Sequence, residues 1–244
     1  RTNQVMTRNR RIGLSQSGIV ENINKWGFRM HMVWCDKGYE IVQGWDKVYS
    51  EWLGVPESIK KTTVKPSGTV SLLPGVTPGI HFPHSEYYIR RIRVAKTSHL
   101  CQAMSDAGYH VEPDVKEPEY TMVIAFPVHE PFFSRRKADV SMFEQLELAA
   151  QMQAYWSDNQ VSATITITGE ENVATALSMY ETRLKSISFL PIEGGGYMQA
   201  PYEEINEEQY KDMAERLKKP KLNVGLQDEG KVIDKFCDTS VCEL

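Results

Sequence analysis

Residues 160–168, QVSATITIT, alternate β-branched and small side chains. Residues 168–186 then run without a break into an amphipathic helical pattern, and ISFLP, residues 187–191, returns to a strand. A strand that feeds straight into a helix and out into another strand cannot close as a hairpin. It needs a crossover, which points to an α/β fold with largely parallel strands. Thr168 and Glu171 have the spacing of a capping box at the start of that helix.

The same rhythm extends upstream. Residues 139–158 carry Val140, Phe143, Leu146, Ala149, Ala150 and Trp156 as the apolar face of a long helix. Residues 119–128, EYTMVIAFPV, are nearly continuous in apolar character, as a strand covered on both faces would be. KKTTVKP (60–66) and EYYIRRIRVA (86–95) read as strands, the arginines of the second lying on its wet side. Residues 98–108 read as a helix capped by Thr97 or Ser98 and closed by Gly108. Residues 45–54 read as a short helix ended by Gly54 and Pro56. Ile12, Ile19, Ile23 and Trp26 predict one helix over 5–26, with Arg8, Arg10 and Arg11 on its solvated face. Asn206 is placed to cap a charged helix over 206–219, and the polar residues from 220 to 244 read as a mobile tail.

Composition removes several function classes. The net charge of −4 gives no basic face for nucleic acid. No run of eighteen apolar residues exists to span a membrane. The basic start RTNQVMTRNRR precedes no apolar segment, so it is not a secretory signal. The missing initiator Met reads as a sign of a longer polypeptide. Four cysteines in 244 residues are too few for a disulfide-stapled secreted domain, so a reducing cytoplasm is expected. None has zinc-finger spacing, and no metal site is expected.

Residues 65–84, KPSGTVSLLPGVTPGIHFPH, combine turn-forming Pro and Gly with apolar Val70, Leu72, Leu73, Val76 and Ile80. The stretch follows the strand TTV. In open α/β sheets ligands collect at the carboxyl ends of strands. Pro66 stops the strand, Gly68 admits a ligand oxygen to the main chain, and Ser67, Thr69 and Ser71 add hydroxyls beside Lys65. These residues suit a phosphate cradle, though the pattern is not a Walker A loop. They equally suit a structural strand-to-helix turn. His81 and His84 carry no assigned role. Near the end, FCDTSVCEL sets Cys237 and Cys242 five apart, either as a dithiol for thiol exchange or as two unrelated cysteines on a frayed end. Cys35 and Cys101 read as ordinary apolar residues.

NRRIGLSQSGIV (9–20), residues 65–94 and WSDNQVSATITI (156–167) resemble the C-terminal part of the monomeric, adenosylcobalamin-dependent (class II) ribonucleoside-triphosphate reductases. GGGYMQAPYEEINEEQY (194–210) and the terminal Cys-x4-Cys are similar to the end of the same proteins. The resemblance runs through the whole chain in order. It implies an α/β fold that is the C-terminal half of a ten-stranded barrel (1–219), followed by a flexible C-terminal tail (220–244). It implies that Pro66, Ser67, Gly68, Thr69, Val70 and Ser71 open a helix whose N-terminus holds substrate phosphates, while the apolar residues lock the loop in place. It also implies that Cys237 and Cys242 pass electrons from thioredoxin to a buried active-site disulfide.

The implied activity is reduction of ribonucleoside triphosphates by cobalamin-initiated radical chemistry. Adenosylcobalamin and a deoxynucleotide effector would be bound mainly by parts outside this chain. The family's Asn-x-Cys-x-Glu loop, which bears the thiyl-radical cysteine, is absent from the sequence. The chain is therefore expected to be a C-terminal fragment that cannot turn over alone. The alternatives are a non-catalytic nucleotide-binding module or regulatory paralogue, and a small dithiol oxidoreductase built on Cys237 and Cys242.

Overall fold

The computed structural model describes residues 2–68, 70–192 and 198–221. In chain order the elements are α1 (Thr2–Asn9), β1 (Arg11–Leu14), α2 (Ile19–Trp26), α3 (Phe28–Leu53), β2 (Lys60–Thr62), β3 (Tyr87–Ala95), α4 (His99–Asp106) and β4 (His110–Pro113). There follow β5 (Thr121–His129), α5 (Met142–Tyr155), β6 (Thr164–Ile167), α6 (Val173–Tyr180), β7 (Ser188–Pro191), β8 (Tyr202–Glu204) and α7 (Glu207–Glu215). The described residues fall into two compact units, 2–83 with 132–192, and 84–131 with 198–221.

The first unit is a parallel α/β assembly. β1 pairs with β2 and β6 with β7, both in parallel, and a parallel bridge between Val64 and Val161 links the two pairs. The segment between α5 and β6 makes that link. Asn159 donates to the Thr62 carbonyl from its backbone N–H (2.9 Å) and from its side chain (2.8 Å). The Trp156 indole N–H donates to the Thr63 carbonyl at 2.9 Å, and the Ser162 N–H to Val64 at 2.9 Å. Val64, Leu146, Ala149, Met152, Val161 and Ile165 form the centre of the core. Buried Gln145 fixes α5 to β6. Its side chain accepts the Thr166 N–H (2.9 Å) and donates to the Thr166 carbonyl (3.2 Å). These bonds satisfy backbone groups at the seam between the two strand pairs.

The second unit is an antiparallel sheet in the order β4-β5-β3-β8 with α4 and α7. β3 and β5 pair along nine residues. EYTMVIAFPV is thus a buried strand as expected, but in an antiparallel sheet. Apolar run length reports burial rather than strand direction. Ile89, Ala125 and Ile205 make the small core, with Tyr87, Tyr210 and Met213 against it.

Several sequence expectations are corrected. Residues 5–26 are not one helix. α1 ends at Asn9, Arg10 takes φ 32°, and residues 11–14 become β1 because β2 satisfies their backbone groups. Arg8 and Arg11 consequently lie on different elements. Residues 45–54 are the end of a 26-residue helix that runs through Gly38 and Gly44. A Cβ at Gly38 would lie 3.4 Å from the Trp156 ring, so the helix packs closely against α5's end there. On α5 the expected face holds, with Val140, Leu146, Ala149, Ala150 and Trp156 buried; Phe143 alone of it is exposed, and Met142 is buried beside it.

The cap of α6 is Asn172, which accepts the Thr175 N–H at 3.0 Å. The Glu171 carboxylate instead takes the N–H groups of Thr168 and Gly169 in the preceding turn. The arginines of β3 are engaged rather than wet. Arg90 lies 4.3 Å from the Tyr202 ring, Arg91 pairs with Glu203, and Arg93 pairs with Asp114 at 2.8 Å. Ser98 caps α4, and Asn206 with Gln209 forms a full capping box on α7, as the sequence predicts.

Candidate functional site

The loop after β2 leaves the carboxyl end of that strand, where the sequence placed it. Pro66 is buried and Lys65 exposed, and the Lys65 N–H donates to Ser15 Oγ at 2.8 Å. The left-handed backbone falls on Ser67, at φ 51°, and not on Gly68. At Gly68 a Cβ would meet nothing within 4 Å, so its main chain faces open space. Thr69 lies outside the described residues.

Val70–Leu72 form a single 3-10 turn, where the sequence reading expected a helix. The Ser71 N–H closes onto the Ser67 carbonyl at 3.0 Å, and the Ser71 carbonyl accepts from Val76 at 3.1 Å. Pro74 and Gly75 then end the turn before helical propagation can begin. Ser71 is 1% exposed, and its hydroxyl has no partner among the described residues. A buried hydroxyl left unpaired costs about 1–3 kcal/mol.

The remainder of the stretch is anchored by polar contacts more than by its apolar residues. Val70 and Leu73 are exposed, contrary to the expectation that they lock the loop; Ile80 alone of the five is fully buried. The Glu21 carboxylate accepts the Thr77 N–H (2.7 Å) and hydroxyl (3.1 Å), and the Gly18 N–H donates to the Thr77 carbonyl (3.1 Å). Gly79 takes φ 55°, and a Cβ there would stand 2.8 Å from the Lys65 carbonyl oxygen. Only glycine permits that approach.

His81 fixes the far end of the stretch. Its Nδ1–H donates to the Pro78 carbonyl at 3.0 Å, so its Nε2 is the acceptor of the Thr164 N–H at 3.2 Å. The ring is therefore a neutral tautomer with both nitrogens used. Burial, with the nearby Lys137 charge adding to it, lowers the imidazole pKa to about 4. This structural role was not assigned from the sequence.

A second cluster also escaped sequence reading. Cys35 Sγ lies 3.5 Å from His31 Nε2, the His31 Nδ1 is 2.6 Å from Asn22 Nδ2, and Gln16 reaches the thiol at 3.7 Å. The His-x-x-x-Cys spacing on a helix was its one visible signal. Burial pushes the thiol pKa up and the imidazole pKa down. Both stay neutral, so the pair is not an activated nucleophile. Cys101 is half-buried on α4, its thiol donating to the Ala95 carbonyl. Cys237 and Cys242 lie outside the described residues.

No protein-family model matches the chain. Among curated proteins, it is 45% identical over 252 residues to a probable adenosylcobalamin-dependent ribonucleoside-triphosphate reductase of Dictyostelium discoideum, covering 100% of this chain and 33% of that protein. It is 44% identical over 252 residues to the adenosylcobalamin-dependent ribonucleoside-triphosphate reductase of Euglena gracilis, covering 99% and 34%. The crystal structure of a B12-dependent (class II) ribonucleotide reductase superposes with a TM-score of 0.76 at 35% identity, over 88% of this chain and 34% of that one. The chain is a homologue of the class II ribonucleotide reductases. It spans about a third of the length of these reductases.

The reductase names imply a corrinoid, for which neither of two features of the described residues supplies a site. The cavity lined by Ile80, His81, Phe82, Lys137, Gln145 and Thr166 holds about 30 Å³, room for about one water molecule. No cluster of three His, Cys, Asp or Glu that could hold a metal occurs among the described residues.

Proposed function

We propose that this chain is a portion of an adenosylcobalamin-dependent ribonucleoside-triphosphate reductase, and that residues 66–71 hold the phosphates of its ribonucleotide substrate. The observation that carries this reading is the orphan Ser71 hydroxyl, buried at the carboxyl end of a parallel strand beside an open Gly68 backbone. A phosphate oxygen at Gly68 meets no side chain, and Ser71 and exposed Lys65 supply a donor and a charge. The six candidate residues, Pro66, Ser67, Gly68, Thr69, Val70 and Ser71, would act through backbone N–H groups and hydroxyls rather than through titratable side chains.

The four parallel segments β1, β2, β6 and β7 would belong to the ten-stranded barrel that the resemblance implies. Cys237 and Cys242 would deliver reducing power: thioredoxin reduces their disulfide, and the dithiol then passes two electrons and two protons to the active-site disulfide. Radical initiation, the cofactor and the effector are assigned to parts of the protein outside these residues.

Gly68→Val tests the loop. A side chain there has room, and the glycine has no left-handed φ, so folding is expected to be unchanged. Calorimetric titration with a ribonucleoside triphosphate should show affinity reduced at least tenfold, about 1.4 kcal/mol. A thermally unaltered Gly68→Val protein with native affinity would refute the phosphate role and leave a structural turn. In the full-length reductase, replacing both Cys237 and Cys242 with Ser should leave nucleotide affinity intact while abolishing thioredoxin-dependent turnover. Turnover that survives removes the reductant role.

A further inference from the structure

β1 and β2 lie side by side and run parallel, with Leu14 beside Thr62, so the segments that leave their carboxyl ends emerge on the same side. Residues 65–71 follow β2, and residues 15–18 follow β1. The two segments touch. The Thr63 N–H donates to the Leu14 carbonyl at 2.9 Å, and the Lys65 N–H, one step further, donates to Ser15 Oγ at 2.8 Å. Backbone pairing thus gives way, just past the strand ends, to a contact made by a side chain. That contact uses only part of Ser15. A serine hydroxyl has one proton to donate besides the lone pairs that accept. A lone pair meets the Lys65 N–H. The proton has no acceptor among the described residues, and Ser15 and Lys65 are both exposed.

The segment that carries this hydroxyl is fastened on two sides. Toward α3, Gln16 reaches the buried Cys35 thiol at 3.7 Å, Cys35 lies 3.5 Å from His31 Nε2, and His31 Nδ1 lies 2.6 Å from Asn22 Nδ2. Toward the loop after β2, Ser15 holds its beginning at Lys65, while the Gly18 N–H and the Glu21 carboxylate hold Thr77 beyond its end. Both oxygens of Glu21 are occupied by Thr77. Ser15 therefore stands at a fixed place beside the candidate phosphate loop, and a donor held in position before its ligand arrives loses little entropy on binding.

We propose that Ser15 is a further phosphate-binding residue, donating its hydroxyl proton to a phosphate oxygen of the nucleotide held by residues 66–71. The inference rests on that reading of the loop and adds a second strand end to the site. The ligand it takes is the polyphosphate of a ribonucleotide, an acceptor-rich anion for which a hydroxyl beside an exposed lysine is suited. Because the Lys65 N–H occupies a lone pair of Ser15, the hydroxyl enters the site as a donor. Its partner in this contact lies 50 positions away in the chain, so no local pattern marks it.

The test separates donating to a ligand from merely anchoring Lys65. In the full-length reductase, Ser15→Asp keeps an acceptor for the Lys65 N–H but cannot donate and sets a negative charge against phosphate. Ser15→Asn keeps an acceptor in its carbonyl and a donor in its amide. Each variant is titrated with a ribonucleoside triphosphate by calorimetry and with the unphosphorylated ribonucleoside by NMR. Ser15→Asp should bind the triphosphate about tenfold more weakly or worse, Ser15→Asn should bind it within about twofold of native, and nucleoside affinity should not change in either. Native triphosphate affinity in Ser15→Asp overturns the proposal and leaves Ser15 as an anchor. Equal weakening of triphosphate and nucleoside overturns it as well, because the loop's position alone has then changed. If the carboxylate lowers the melting temperature, Ser15→Ala replaces it, and native triphosphate affinity there is equally fatal. Gly68→Val keeps the two readings apart. Weak binding in it with native binding in Ser15→Asp removes Ser15 alone. Native binding in Gly68→Val removes the phosphate role of residues 66–71, and with it the site that Ser15 is proposed to join.

Discussion

Lowering the pH should unfasten the stretch after β2 through His81. In the folded protein the ring donates to Pro78 and accepts from Thr164, so protonating Nε2 destroys one of two hydrogen bonds and buries a charge beside Lys137. The folded pKa of about 4 lies below the ordinary 6.5. Between those values the unfolded chain binds the proton more readily, so stability rises with pH across that window. The contribution is complete above pH 6.5 and is lost as pH falls toward 4. A difference of about 2.5 pKa units corresponds to about 3 kcal/mol. Urea unfolding from pH 7.5 to 4.5, on the native protein and on His81→Gln, measures it. Glutamine can keep both bonds without titrating, so the variant should lose most of the pH slope between 6.5 and 4.5. Identical slopes in the two proteins, or an NMR titration of the His81 ring centred near 6.5, would refute the reasoning.

Gly79→Ala should cost about 1–3 kcal/mol in urea unfolding, because its Cβ meets the Lys65 carbonyl at a left-handed φ; an unchanged midpoint would show that the loop yields there. Cys35 should react with a thiol reagent at pH 7.5 only as fast as the protein opens, since burial raises its pKa. Rapid labelling of Cys35 in the folded state would contradict the buried neutral pair. Tyr88→Phe removes the 2.6 Å hydrogen bond that the phenol donates to buried Glu130, and should destabilise the second unit by about 1–3 kcal/mol in thermal unfolding. A cost near zero would show that other groups solvate Glu130 unaided.

Strands with strong β-branched character and helices with a side-chain cap were legible in the sequence. β3, β6, α4, α5 and α7 lie where pattern and capping residues put them, because these signals are local. β1 was not legible: RIGL is only four residues long, its Ile12 also fits the apolar spacing of a helix over 5–26, and it becomes a strand because β2 pairs with it. The length of α3 was hidden by Gly38 and Gly44, which propensity penalises. The loop's position was readable from Pro66 and the preceding strand. Its backbone was not: Ser67, a non-glycine residue, takes the left-handed conformation, and the helix after it shrinks to one 3-10 turn. The pairing of Glu21 with Thr77 and of His81 with Thr164 depends on residues 56 and 83 positions apart, beyond the reach of any window.

The antiparallel sheet also bears on how the chain finds its fold. Thr62 and Asn159, which join the two halves of the parallel assembly, are 97 positions apart. The β3–β5 pairing, sealed by Tyr88 and Glu130 only 42 positions apart, joins residues that lie between them. Once that sheet has formed, the loop to be closed shortens to about 55 residues, which lowers the entropic cost of closure by about 0.5 kcal/mol. The intervening sheet thus acts as a staple on the folding path. Variants that loosen it, such as Tyr88→Phe, should slow formation of the parallel assembly even though they touch none of its strands.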